Sequence, residues 1–350
     1  MTNIASIAKL GEPNAELAAY IEAHPQVKAN WDDVDTLRST RNELEQQGIA
    51  ALGPPPPGVE ESFTKIQMRD GSDSELKIFK PAQPPASGSP LVVLVFGGGF
   101  VIGSNGQLTA VSRALCQMFA ATVVNISYRL APDHQFPTGV NDAWDSLQWI
   151  AANASSLGAD PSQGFVLGGV SAGANISAVI AQKSVDESIS PPLTGVWLVV
   201  PYVFGSKENI PAHYRDQWFS REQNKDAPGL DGDAMTAIET HLKADYNSEW
   251  FTPYNAKVPH KGLPPTCIYA NGMDPLRDDA LIHEQVLREH GVKTKLFTWP
   301  GLPHAHFAFF PTLKCSQEAL GDIFQGFGWL LSKDTASQDI PDAVQAPSSG

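Results

Sequence analysis

The sequence predicts an α/β fold built on a mostly parallel central sheet flanked by helices, and three observations predict it. From residue 91 onward, strand-like and helix-like stretches alternate, which implies parallel strands joined by helices lying on both faces of one sheet. The run LVVLVFGGGFVIG, residues 91–103, carries an apolar strand straight into three consecutive glycines. Residues 169–173, Gly-Val-Ser-Ala-Gly, fall between a strand pattern and a helix pattern.

Each element follows from its own residues. Residues 13–50 read as helical, with charged residues set between Leu17, Ile21, Val27, Trp31 and Leu37; GPPPPGV at 53–59 breaks the pattern as a linker. Two strand-like runs, 63–68 and 75–79, flank a turn containing Asp-Gly. Strand 91–96 opens the alternation: helix 107–119, strand 122–127, helix 140–152, strand 164–169, helix 172–182 and strand 196–200. The alternation resumes with strand 265–270, helix 278–290, strand 294–299 and helix 316–331. Between the two blocks, 202–260 shows no strand pattern, one helix at 233–243, and many aromatics, among them Tyr202, Phe204, Trp218, Trp250 and Phe251. The expected organisation is an N-terminal helical cap segment over 1–55, a core over 60–201 and 261–333, a cap insertion over 202–260, and a disordered tail over 334–350. No internal repeat is present.

Composition narrows the function classes. The 350 residues are 42% hydrophobic and 18% charged, ordinary for a globular protein. A formal charge of −14 argues against nucleic acid or an anionic membrane surface as partner. Three scattered cysteines, Cys116, Cys267 and Cys315, give neither a disulfide framework nor a zinc site. The first residues lack an apolar core of signal-peptide length, and 91–103 is too short and glycine-rich to span a bilayer, so a cytoplasmic protein is expected.

The glycine loop can cradle a phosphate or a transient charge. A dinucleotide fingerprint counted from Gly97 ends on Ile102 instead of glycine; a P-loop from Gly98 to Gly103 meets Ser104 instead of lysine. Close packing of a loop on the sheet remains the bland alternative. The stretch Gly169-Val-Ser171-Ala-Gly173 changes the balance, because G-x-S-x-G at a strand–turn–helix junction exposes a serine on a strained turn. The N–H of Ala172, at the helix start, is expected to point toward the same spot as the serine oxygen. Ser171 needs a base, and in such a sheet the acid and histidine follow the serine at later strand ends. Asp274 stands just past strand 265–270, and His304 and His306 just past strand 294–299. Asp274 could instead cap the next helix, and either histidine could be a hydrogen-bonded core residue; three such accidents in order are improbable.

The sequence resembles the hormone-sensitive-lipase-like esterases of the α/β-hydrolase superfamily. FGGGFVIG (96–103), YRLAPDHQFP (128–137), GVSAG (169–173), DPLRDD (274–279) and GLPH (301–304) carry the resemblance, over about residues 60–333. It implies an α/β-hydrolase fold with a helical cap, a Ser171–His304–Asp274 triad, and an oxyanion hole from the N–H groups of Gly98, Gly99 and Ala172. The G-x-x-H spacing selects His304 over His306, leaving His306 as a packed side chain. Arg129 and His134 would hold the loop behind the site. Two departures stand out: Phe96 replaces the histidine that usually braces the glycine loop, and Val170 replaces the usual Asp or Thr before the nucleophile.

The expected activity is hydrolysis of small to medium carboxylic esters through an acyl-enzyme, without metal or cofactor. The expected partner is a small-molecule ester, with no stable membrane association and a homodimer left open. A side chain at Gly99 is expected to crowd the serine. A lyase or cyclase on the same fold is the alternative, and a small-molecule receptor is disfavoured by the presence of His304.

Overall fold

The computed structural model describes residues 4–335, so the expected tail beyond 335 lies outside the described residues. The chain opens with α1 (Ile4–Lys9), α2 (Ala15–Ala23) and α3 (Val34–Ala51), then β1 (Val59–Gln67), β2 (Asp73–Pro81) and β3 (Leu91–Val95). Next come α4 (Thr109–Phe119), β4 (Thr122–Ile126), α5 (Thr138–Ala152), β5 (Phe165–Val170), α6 (Ala172–Asp186) and β6 (Gly195–Val199). The stretch up to β7 (Thr266–Asn271) holds a helical turn α7 (Ser220–Gln223), helix α8 (Gly232–Leu242) and several 3-10 turns. It is followed by α9 (Arg277–Glu289), β8 (Thr294–Trp299), the turn α10 (His306–Phe309) and α11 (Lys314–Leu330).

All eight strands form one sheet in the order β1-β2-β4-β3-β5-β6-β7-β8. The β1–β2 and β2–β4 pairs are antiparallel and the rest are parallel. Strand β3 shows why its sequence is continuously apolar. Leu91, Val93 and Val95 enter one core with Trp144, Leu147, Ile176 and Leu287, while Val92 and Leu94 enter the other with Leu115, Phe119, Phe324 and Phe327. Both faces are covered, by α5, α6 and α9 on one side and α4 and α11 on the other, so no position of β3 is left facing solvent. Because β3 to β8 run the same way, the loops after β3, β5, β7 and β8 all emerge at one edge of the sheet. Among the described residues no helix is long and apolar enough to cross a membrane.

The N-terminal segment departs from the expected continuous helix over 13–50. It breaks after Ala23, because Pro25 follows and cannot continue the hydrogen-bond ladder. Residues 24–33 run as an irregular link in which Val27 is 96% exposed. This segment nonetheless grips the core. Leu17 is fully buried, Gly301 donates to Leu10 O (2.7 Å), and Asn14 donates to Gly301 O (3.0 Å). Any side chain at Gly301 would collide with the backbone of Glu12 and Asn14, so a glycine is needed there. The carboxylate of Glu16 accepts from the backbone N–H groups of Lys314 (2.7 Å) and Cys315 (3.0 Å), capping α11 from a distant part of the chain. The link also meets the 202–260 segment, through Lys28–Asp231 (2.8 Å) and a hydrogen bond between His241 Nε2 and Trp31 O (2.8 Å).

Candidate active site

Ser171 joins β5 to α6 with φ 56° and ψ −117°, a backbone conformation in which a non-glycine residue is strained by about 1–3 kcal/mol. The strain is tolerated because the turn is locked: Ser171 N–H donates to Val199 O (2.8 Å) on the neighbouring strand. The flanking glycines are steric requirements. A Cβ at Gly173 would strike the carbonyls of Val95 and Phe96, and one at Gly169 would strike the Gly173 backbone. The result is a serine hydroxyl held up at the carboxyl edge of the sheet.

His304 Nε2 lies 2.8 Å from Ser171 Oγ, and His304 Nδ1 lies 2.7 Å from Asp274 Oδ2. Asp274 is fully buried and its second oxygen accepts from Leu276 N–H (2.8 Å), so the carboxylate is fixed by its own helix start as well as by the imidazole. The two loops that carry acid and imidazole are zipped together. Met273 N–H donates to Leu302 O (3.0 Å), and the buried Asn271 amide donates to Pro303 O, one residue before His304. From the 202–260 segment, Asn224 donates to Asp274 O (2.9 Å).

The glycine loop lies against the same serine. A Cβ at Gly97 would come within 3.3 Å of Ser171 Cβ. Gly98 and Gly99 have φ of 126° and 61°, and Gly98 O accepts from Val101 and Ile102 (3.0 Å each), which turns the chain back on itself. Among the described residues no group accepts a hydrogen bond from the N–H of Gly98, Gly99 or Ala172. Three donors beside one nucleophile are thus uncommitted. The expectation that a Gly99 side chain would crowd the serine does not hold: it would meet Ile238 (2.5 Å) and Trp31 (3.5 Å) above the loop, and Gly97 is the position that crowds Ser171.

Phe96 leaves the loop without the usual histidine brace, and other groups take its place. Gln107 accepts from Gly97 N–H (2.8 Å) through Oε1 and donates to Gly97 O (3.3 Å) through Nε2. Tyr128 OH donates to Phe96 O (3.1 Å), and the Phe96 ring stacks on Tyr128 at 4.2 Å. From α3, Arg38 donates to Val101 O (2.9 Å) and Ala131 O (2.6 Å) and pairs with Asp133 (2.6 Å). Arg129 pairs with Asp142 and Asp70 (2.7 Å each) behind the loop, and His134 lines a small apolar cavity there with Phe100 and Phe136. Val170 is buried among apolar side chains.

His306 is set apart from this cluster. Its ring is fully buried edge-on to Trp299 (5.1 Å), with Nδ1 2.9 Å from Ser316 Oγ, and burial pulls its pKa down to about 3.

Several contacts at the site escaped the sequence reading: those of Gln107, Asn271 and Asn224, and those of the Asp278–Asp279 pair, which stands in the DPLRDD motif. Asp278 accepts from the N–H groups of Phe219 (2.7 Å) and Ser220 (2.6 Å). Asp279 accepts from those of Val203 (2.9 Å) and Phe204 (2.8 Å), from Trp218 Nε1 (2.9 Å), and pairs with Arg221 (3.3 Å). Burial raises the Asp279 pKa, and Arg221 opposes that rise. These two carboxylates tie the 202–260 segment to the helix that follows Asp274. Among the described residues, no group of three or more His, Cys, Asp or Glu side chains is arranged to hold a metal ion.

A family model described as an alpha/beta hydrolase fold matches residues 92–308. An AB hydrolase superfamily protein of Schizosaccharomyces pombe is 31% identical, over 93% of this chain and 95% of its own. A versiconal hemiacetal acetate esterase of Dothistroma septosporum is 35% identical, over 70% of this chain and 74% of its own. Among solved structures, the crystal structure of vibralactone cyclase superposes with a TM-score of 0.86 at 29% identity, covering 93% of this chain and 96% of that one.

Proposed function

Because the chain belongs to the hormone-sensitive-lipase-like family of α/β hydrolases, we propose that it is a serine carboxylesterase acting on small to medium esters through an acyl-enzyme. The observation that carries this reading is the unbroken path from Asp274 Oδ2 through His304 to Ser171 Oγ, with uncommitted backbone donors beside it.

The chemistry follows from that path. Ser171 Oγ attacks the ester carbonyl carbon while His304 Nε2 takes the hydroxyl proton; a serine hydroxyl is a poor nucleophile without that base. Asp274 accepts from Nδ1–H, holding the tautomer that leaves Nε2 free, and stabilises the imidazolium that forms. The carbonyl oxygen becomes an oxyanion and receives hydrogen bonds from Gly98, Gly99 and Ala172, each worth roughly 3–4 kcal/mol of barrier in comparable sites. Collapse of the tetrahedral intermediate expels the alcohol, protonated by His304. Water then attacks the acyl-enzyme with His304 again as base, freeing the acid and Ser171. The cap over the site is formed by the N-terminal helices and the 202–260 segment, whose Trp31 and Ile238 lie above the glycine loop.

A second reading has its own observation, the close superposition on a cyclase. An internal hydroxyl of the acyl group would then replace water in the second half-reaction, giving a lactone from the same acyl-enzyme. A p-nitrophenyl ester series from acetate to decanoate tests the first reading, with Ser171→Ala as control. Turnover with 18O from solvent water in the released acid supports hydrolysis. Stoichiometric acylation of Ser171 without release of acid would overturn it in favour of acyl transfer to another hydroxyl.

A further inference from the structure

One face of α3 carries Arg38, Arg41 and Glu45, and the outer two are committed. Arg38 holds Val101, Ala131 and Asp133, and Glu45 accepts from Ser104 Oγ. Arg41 lies between them, beside the outer end of the glycine loop. Among the described residues no carboxylate, carbonyl or hydroxyl accepts from its guanidinium. Its partner is an aromatic ring: Arg41 Cζ stands 5.3 Å from the centre of Phe309. Phe309 belongs to α10, in the loop that carries His304; a Cβ placed on Gly229 would touch both the Phe309 ring (3.3 Å) and His304 O (3.6 Å). Arg41 therefore reaches from the glycine loop to the histidine loop, the two walls between which Ser171 sits.

The half-buried guanidinium loses part of its hydration, and no acid compensates; burial lowers its pKa from the ordinary value. A ring contact offsets only part of that cost. In a chain with 38 acidic and 24 basic residues, an internal carboxylate partner would be easy to supply. A planar fork of uncommitted donors between the two loops that flank Ser171 matches a carboxylate, which it can bind through two charge-assisted hydrogen bonds.

We infer that Arg41 is a specificity-determining residue that binds an anionic carboxylate on the substrate, so that preferred substrates are half-esters of dicarboxylic acids or similar esters bearing a free acid. This rests on the esterase reading above. The experiment compares mono-p-nitrophenyl glutarate with p-nitrophenyl pentanoate, acyl groups of equal length that differ in one carboxylate. For the wild type, kcat/KM for the glutarate should exceed that for the pentanoate, and added NaCl should narrow the gap. Arg41→Met should lower the glutarate-to-pentanoate ratio at least tenfold, chiefly through KM, while Arg41→Lys keeps part of it. Glutarate dianion should bind the wild type in calorimetry and bind Arg41→Met at least tenfold more weakly. An equal fall for both esters would make Arg41 a structural latch between the cap and the histidine loop and overturn the proposal. So would an unchanged ratio. If neither ester is turned over, the esterase reading fails, and the calorimetric comparison still decides on Arg41.

Discussion

The side-chain amide of Gln107 grips the peptide of Gly97 at both ends, accepting from its N–H at 2.8 Å and donating to its carbonyl at 3.3 Å. That contact does for this glycine loop what a histidine in place of Phe96 would do elsewhere in the family, and it acts one residue before the proposed oxyanion donors. Preorganised donors lose their value when their positions relax. Gln107→Ala should lower kcat about tenfold or more with KM little changed, and Gln107→Glu, which keeps only the acceptor, should fall between. Steady-state kinetics on one short ester checks this; a loss confined to KM would assign Gln107 to substrate binding instead.

Removing the Ser171 oxygen leaves the strained turn in place, since alanine meets the same backbone conformation. Ser171→Ala should melt within a few degrees of the wild type while turnover drops by several orders of magnitude. A phosphonate probe should label the wild type at Ser171 in peptide mapping, and the variant not at all.

The two histidines of the GLPHAHF stretch should separate cleanly. His304→Asn should abolish ester turnover, because among the described residues no other base is bonded to Ser171 Oγ. His306→Phe should retain a substantial fraction with the same dependence on pH, because that ring faces Trp299 and Ser316. A reversed pattern would make His306 the base.

Valine at position 99 would need a backbone angle that β-branched residues avoid and would press on Ile238 and Trp31. Gly99→Val should therefore cost turnover while a cooperative melt persists. Adding Ile238→Ala should not restore activity, because the backbone strain remains; full restoration would show that crowding alone was at fault.

Three buried histidines set an acid limb on stability. Burial depresses His260 to about 4, and His283 and His306 to about 3, from an ordinary 6.5. Between those values the unfolded chain binds more protons than the folded one, so unfolding free energy rises with pH. Stability should be complete above pH 6.5 and fall as the pH drops toward 4, by up to about 1.4 kcal/mol per pH unit for each group. Urea melts from pH 7.5 to 4.5 measure the slope, and His306→Phe should flatten it. An unchanged slope in that variant would remove His306 from the account.

The strands were legible because each one near the sheet centre is buried on both faces, leaving runs such as 91–95 with no polar position. The serine turn was legible because its glycines are forced by backbone contacts only a few residues away. Less could be read where partners are distant. Asp279 is bonded to Val203, 76 residues earlier, and Asn271 to Pro303, 32 residues later; a buried polar residue of this kind leaves no period in the sequence. The 202–260 segment is mostly irregular chain, with 3-10 turns and a four-residue α7 too short to repeat, which is why only α8 showed. Pro25 was the visible sign that the N-terminal helix would break, and the periodicity of its neighbours outweighed it.

The bonds from Leu10 and Asn14 to Gly301, and from Glu16 to the start of α11, join segments that lie nearly 300 residues apart in the chain. During synthesis, α2, with the buried Leu17, must wait for some 300 residues before the start of α11 exists for Glu16 to cap. Contacts of such long sequence separation slow folding and lengthen the time that apolar surface stays uncovered. The histidine loop is thus fastened at Gly301 by residues synthesised long before it, a contact that can close only once both segments are present.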